Sequence, residues 1–210
     1  ALPGLQLYAE YDYNGGYDRE QLEKRFEFCC KAKFSDFMVL ETPDHPDGGD
    51  GNGARLLLFN DPLIGLYDRH IEGLDTRAYY GQLRREFEDI GPDSGLLRPA
   101  FDLMRSVVKV LELKADFGVR LKKAYDKENG EALGALSDES LVISDRLEEL
   151  RKMHRESWFI YNKAFGWEIF DSYYGTLIAR FSTVRDRINS YLLGEIESIE
   201  ELEEDRLWFD

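Results

Sequence analysis

"WEIFDSYYGTLIARFSTVRDRINSY", residues 167–191, is the stretch on which the fold turns. Trp167, Phe170, Tyr174, Leu177, Phe181, Val184, Ile188 and Tyr191 follow one another at spacings that alternate between three and four. Residues three and four apart share one face of an α-helix, and an unbroken alternation of the two marks a seam between nearly antiparallel helices. A helix over these residues would be about 37 Å long. Gly194 is placed to end it.

Upstream, Ile143, Leu147, Leu150, His154, Trp158 and Tyr161 make a second helical stripe. The connection "NKAFG", 162–166, is short enough to make the two helices antiparallel neighbours. Trp158, Tyr161, Trp167, Phe170 and Tyr174 then fall on the seam and are expected in the core. Phe165 and Lys163 have no seam position. An aromatic at a bundle tip can stack on the apolar face of a sugar or anchor a partner subunit, so Phe165 is a candidate contact.

The rest of residues 76–210 reads as helix. Thr76 is expected to cap "RAYYGQLRREFEDI", which stops at Gly91-Pro92. Pro99 fits the first turns of a central helix whose apolar residues, from Phe101 to Phe117, spread over a broad arc. Ile196, Ile199 and Leu202 give an acidic amphipathic end with its apolar side inward.

The first 75 residues are more mixed. Residues 1–12 read as a short helix before Asn14-Gly15-Gly16, and Asp18 as the N-cap of a helix carrying Leu22, Phe26 and Cys29-Cys30. "TPDHPDGGDGNGA", 42–54, reads as a loop. It fails as a calcium loop, because counting from Asp50 the fifth position is Ala54 and the twelfth is Asp61. "RLLLFNDP", 55–62, is the one strand candidate, a short apolar run closed by Asn60, Asp61 and Pro62. A lone buried strand needs partners, which suggests a start inside a larger protein, as does an opening in apolar residues without a polar lead-in. We divide the chain near residue 75.

A net charge of −15 among 210 residues argues against nucleic acid as a partner. No apolar run approaches the roughly 20 residues of a membrane span. The two cysteines are adjacent, so they form neither a spaced disulfide framework nor a Cys-x-x-Cys pair. They are expected as buried or half-buried thiols in a reducing, cytoplasmic setting.

Motifs for nucleotide, metal or nucleophilic chemistry are absent from the sequence, and neither a metal nor a cofactor is expected. His154, on an apolar seam without a second His or Cys at ligand spacing, reads as a satisfied core histidine. Asp138-Glu139 read as an exposed first helical turn capped by Ser137, since neighbouring helical positions point about 100° apart. Asn60 and Asp61 are the candidate binding residues, because polar groups at the C-terminal end of a barrel strand face the mouth where substrates bind. The competing reading has Asp61 capping the turn that starts at Pro62.

Four stretches carry a family resemblance: "LPGLQLYAEYDYN", "LLLFNDPLIGLYDRH", "LELKADFGVRLKKAY" and "NKAFGWEIFDSYYGTLIAR". The sequence resembles the C-terminal part of bacterial family 20 glycoside hydrolases, exo-β-N-acetylhexosaminidases of the three-domain type with a helical domain after the barrel. The resemblance implies a mainly α fold: a long antiparallel helix bundle over 76–210, preceded over 1–75 by a remnant of the end of a (β/α)8 barrel with one short strand. Residues 1–14 would follow the seventh barrel strand, and 55–62 would be the eighth. It also implies removal of terminal non-reducing N-acetylglucosamine or N-acetylgalactosamine by substrate-assisted catalysis, in which the substrate's own acetamido group attacks the anomeric carbon. The family's catalytic Asp-Glu pair lies earlier in the barrel and does not transfer to Asp138-Glu139, so this chain alone is expected to be inactive. A homodimer is implied too, with Lys163, Phe165 and Trp167 at the aglycone side or the dimer contact. Two other readings stand beside it: a helical protein-interaction module with no enzymatic role, and a lectin-like module using Tyr8, Tyr11, Tyr13 and Tyr17.

Overall fold

The computed structural model describes residues 2–46, 51–92 and 95–208. It is helical from end to end, with no strand among the described residues. The chain opens with α1 (Leu2–Asn14), α2 (Arg19–Cys30) and α3 (Phe34–Val39), followed by a 3-10 turn at Thr42–Asp44. Next come α4 (Gly53–Phe59), α5 (Asp68–Ile71) and α6 (Thr76–Glu88). The bundle continues with α7 (Arg98–Lys114) and α8 (Phe117–Asp126). Two long helices, α9 (Gly130–Tyr161) and α10 (Trp167–Leu192), and a short α11 (Glu200–Glu203) complete it.

The α9–α10 hairpin is the spine, as the periodicity requires. α10 extends about 39 Å, and its stripe Trp167, Tyr174, Leu177, Phe181, Val184 and Ile188 is buried. It faces Leu133, Leu136, Ile143, Leu147 and Leu150 of α9. α7 lies against α9, and α6 against α7, so the helices form a row. α8 packs against α9, and the approach to α11 is tied to it where Tyr125 accepts the N–H of Ile199 at 3.1 Å. A smaller cluster of Phe26, Phe37 and Phe101 ties α2 and α3 to the start of α7 through edge-to-face rings.

Residues 55–59 correct the strand expectation: they belong to α4, not to a strand. Ala54, Leu57 and Leu58 are buried together while Leu56 is partly exposed, a helical and not an alternating pattern. A short apolar run fits both states, and periodicity cannot separate them. Lys114 of α7 caps the C-terminal end of α4, its Nζ donating to the carbonyls of Leu57 and Asn60, both at 2.8 Å. The same core takes in Leu57, Leu58, Leu63 and Ile71 with Tyr80, Leu111 and Phe181, and so runs across residue 75.

Smaller corrections have local causes. Asp75, not Thr76, caps α6, accepting the N–H of Ala78 at 2.9 Å. Phe117 starts α8 after a break at Ala115–Asp116. α9 begins seven residues before Ser137, at Gly130, with Asn129 accepting the N–H of Ala132. Ser137 is therefore buried mid-helix and donates to Asn189 at 2.9 Å. Tyr161 is half exposed at the end of α9. Cys30 is half-buried but Cys29 is exposed. Asp18 caps α2 as expected, accepting from Gln21 N–H at 2.9 Å. Of the loop 42–54, residues 47–50, with Asp50, lie outside the described residues.

Candidate functional site

The residues singled out in the sequence fall at two places. One is the corner that follows α4. Asn60 ends that helix with extended backbone. Its side-chain amide donates to Asp68 Oδ1 at 2.8 Å and its carbonyl oxygen accepts the N–H of Tyr67 at 3.2 Å, bridging the loop between them. Asp61 Oδ1 accepts the N–H groups of Leu63 and Ile64 at 2.9 and 3.0 Å, so the capping reading is realised. Arg180 of α10 grips the same carboxylate, Nε to Oδ2 at 2.6 Å and Nη2 to Oδ1 at 3.2 Å.

Beneath this corner is a buried ionic group that the sequence reading did not find. Lys114 and Asp68 are both almost fully buried. Asp68 Oδ2 accepts from Arg206 Nε at 3.2 Å. The glycines around it are there for space: a Cβ on Gly118 would sit 2.6 Å from Asp68 Oδ2, and Gly65 combines φ +60 with the same obstruction. Burial pulls the Lys114 ammonium down to about 7, with the Asp68 and Asp61 carboxylates opposing it. Burial also raises Asp68 despite Arg206. At Asp61 the upward pull of burial is outweighed by Arg180 and the two backbone N–H groups, and its carboxyl is held below the usual range. The only sequence signal was Lys114 itself, a charged residue at a helical position between Leu111, Leu113 and Phe117. With the oxygens of Asp61 and Asp68 engaged, the corner fixes backbone geometry and does not present an acid and a base to a substrate.

The second place is the tip of the α9–α10 hairpin. Gly166 has φ +97, and a Cβ there would stand 3.3 Å from the Trp158 ring, so the turn needs glycine. Trp158 Nε1 donates to the Lys163 carbonyl at 2.8 Å, and Glu168 accepts the Gly166 N–H at 2.8 Å. Trp167 is buried at 5% exposure, whereas Phe165 stands out at 88%. His154 sits among Trp158, Trp167, Phe170 and Tyr174, its Nδ1 3.0 Å from the Tyr174 hydroxyl. It is satisfied as expected, but it lies half-buried at the edge of the core, and burial lowers its pKa. Burial raises that of Tyr174. Phe165, by contrast, is a large apolar ring held out on a rigid turn.

The structure does not bring Asn60 and Asp61 together with Phe165 and Trp167 through any hydrogen bond or ring contact among the described residues; Phe59, beside Asn60, meets Tyr173 and Tyr174 farther along α10. Asp138 and Glu139 diverge mid-helix: Asp138 is exposed, and Glu139 pairs with Arg120 at 2.5 Å and Arg77 at 3.5 Å. Groups of three or more His, Cys, Asp or Glu arranged for a metal do not occur among the described residues. No described helix is long and apolar enough to cross a membrane.

These features define a helical domain whose polar clusters hold its own framework together. The chain matches the family model described as the glycoside hydrolase 20C C-terminal domain over residues 35–210, and it belongs to that family. The match begins one residue inside α3 and runs to the end of the chain, so α4 and the Asn60–Asp61 corner fall within it. No curated protein matches the chain.

Proposed function

We propose that the chain is the C-terminal segment of a β-N-acetylhexosaminidase that removes terminal non-reducing N-acetylglucosamine or N-acetylgalactosamine by substrate-assisted catalysis. The observation that carries this reading is the family match over residues 35–210. On this reading a barrel elsewhere in the enzyme supplies the catalytic Asp-Glu pair. Residues 1–75 form the side that meets the barrel, and 76–210 form the helical bundle.

Within that arrangement the exposed Phe165 ring is the substrate or dimer contact, with Trp167 as its buried support. Asn60 and Asp61, engaged as they are, shape the wall through the backbone they fix. The enzyme is a cytoplasmic homodimer in this proposal. Nothing in the fold favours the alternative of an interaction module without enzymatic role.

The test is hydrolysis of a chromogenic N-acetyl-β-glucosaminide by the full-length gene product and by residues 1–210 alone. Activity in the first and none in the second is expected. A correctly folded full-length protein without activity would reject the proposal.

A further inference from the structure

The face formed by α6, α7 and α9 carries a groove of about 570 Å³ lined by five cations: Arg77, Arg84, Arg105, Lys109 and Arg146. Two acids, Glu88 and Glu112, share its wall. An excess of positive charge at this wall runs against the −15 of the whole chain.

Two of the cations are committed to the fold. Arg105 donates to the carbonyls of Phe87 and Ile90 and to Asp102, tying α7 to the end of α6. Lys109 reaches Glu149 at 2.6 Å. The other three retain donors. Glu112 sets Arg84 and Arg146 side by side, Oε1 taking Arg84 Nε and Oε2 taking Arg146 Nη1, each at 3.1 Å. Arg84 Nη1 serves Glu88, but its Nη2 has no protein acceptor among the described residues. Arg146 Nη1 also donates to the Lys109 carbonyl, which leaves its Nε and Nη2 without protein acceptors among the described residues. Arg77 has one ion pair, to Glu139 at 3.5 Å, and makes no hydrogen bond among the described residues.

The geometry points to a binding site for a small tetrahedral oxyanion, a phosphate or sulfate group, held between Arg84 and Arg146 with Arg77 at the rim. Guanidinium forks match such oxygens two at a time, and here one carboxylate has already fixed the pair, so little is lost in ordering them. An extended polyanion is the poorer occupant, because the chain as a whole carries a net charge of −15 and would repel it. Glu112 holds the frame while its own charge opposes the ligand.

The test is calorimetric titration of residues 1–210 with inorganic phosphate, inorganic sulfate and glucose 6-phosphate at low ionic strength. One-to-one saturable binding is expected, weakened about tenfold or more in Arg84→Gln and Arg146→Gln. Lys123→Ala, a surface cation outside the groove, should bind as the parent does. Tighter binding of glucose 6-phosphate than of either inorganic ion would assign an ester ligand, and equal binding a free anion; both uphold the site. Should Arg146→Gln fail to fold, Arg84→Gln carries the test, since that side chain is 40% exposed. The inference is overturned if none of the three probes saturates, if Arg84→Gln binds unchanged, or if Lys123→Ala loses as much as Arg84→Gln.

Discussion

Arg180, in the middle of α10, chelates Asp61, 119 residues earlier, through Nε at 2.6 Å and Nη2 at 3.2 Å. The carboxylate it holds also caps the turn at Leu63 and Ile64, so one ion pair ties the longest seam of the bundle to the corner after α4. Both partners are less than one-third exposed. Arg180→Met should therefore cost about 1–3 kcal/mol in urea unfolding. Asp61 titrates below the usual carboxylate range, so its contribution is present above the ordinary value and lost as pH falls through the folded one. The gap between parent and variant should narrow on acidification below about pH 4.

Lys114 has the opposite dependence. Its folded pKa, about 7, lies below the ordinary 10.5, so charging it disfavours the fold. The penalty is present in full below pH 7 and fades as pH rises toward 10.5. Unfolding free energies of the parent and Lys114→Met, from denaturant titration at pH 6.5 and pH 10, should move in the parent's favour by about 2–4 kcal/mol over that range. A constant difference would show that the ammonium keeps its ordinary pKa.

Two helical glycines should respond with opposite signs. A Cβ on Gly118 meets Asp68 oxygens at 2.6 and 2.8 Å, whereas one on Gly175 meets nothing within 4 Å. Gly118→Ala is expected to lower stability by about 1–3 kcal/mol, since Asp68 is locked by Asn60 and Arg206. Gly175→Ala should raise it by about 0.5–1 kcal/mol through helix propensity. Thermal melts of the two variants settle both signs.

At the start of α6 the Thr76 hydroxyl is buried without a partner among the described residues, while Asp75 makes the cap. Thr76→Val should be neutral or stabilising by about 1 kcal/mol, and Asp75→Ala should cost about 1 kcal/mol. The reverse order in chemical unfolding would mean that Thr76 is the cap after all.

The long hairpin was legible because burial on one face leaves a periodic trace that no other structure produces. Trp167, Tyr174, Leu177 and Phe181 could be placed from spacing alone. α4 was not, because Leu56, Leu57, Leu58 and Phe59 fill a run too short to show its period, and the Lys114 that caps its end lies more than fifty residues away. Ser137 misled for a related reason: a polar residue at a buried position looks like a cap until its partner, Asn189 on the neighbouring helix, is known. At the candidate site, Asp61 as a turn cap was visible from Pro62 beside it. Arg180, Asp68 and Arg206 were not, since ion pairs between distant segments leave no local signature. The exposure of Phe165 was legible because a turn residue with no seam position has nowhere to be buried.

The proposal that this domain helps to form the sugar site, and does not merely flank it, is tested most directly by steady-state kinetics of Phe165→Ala in the full-length enzyme on an aryl N-acetyl-β-glucosaminide. Phe165 is 88% exposed, so the substitution leaves the fold intact. Loss of an aromatic stacking contact should raise KM about fivefold or more with the melting temperature unchanged. Kinetics and dimerisation both identical to the parent would contradict the account.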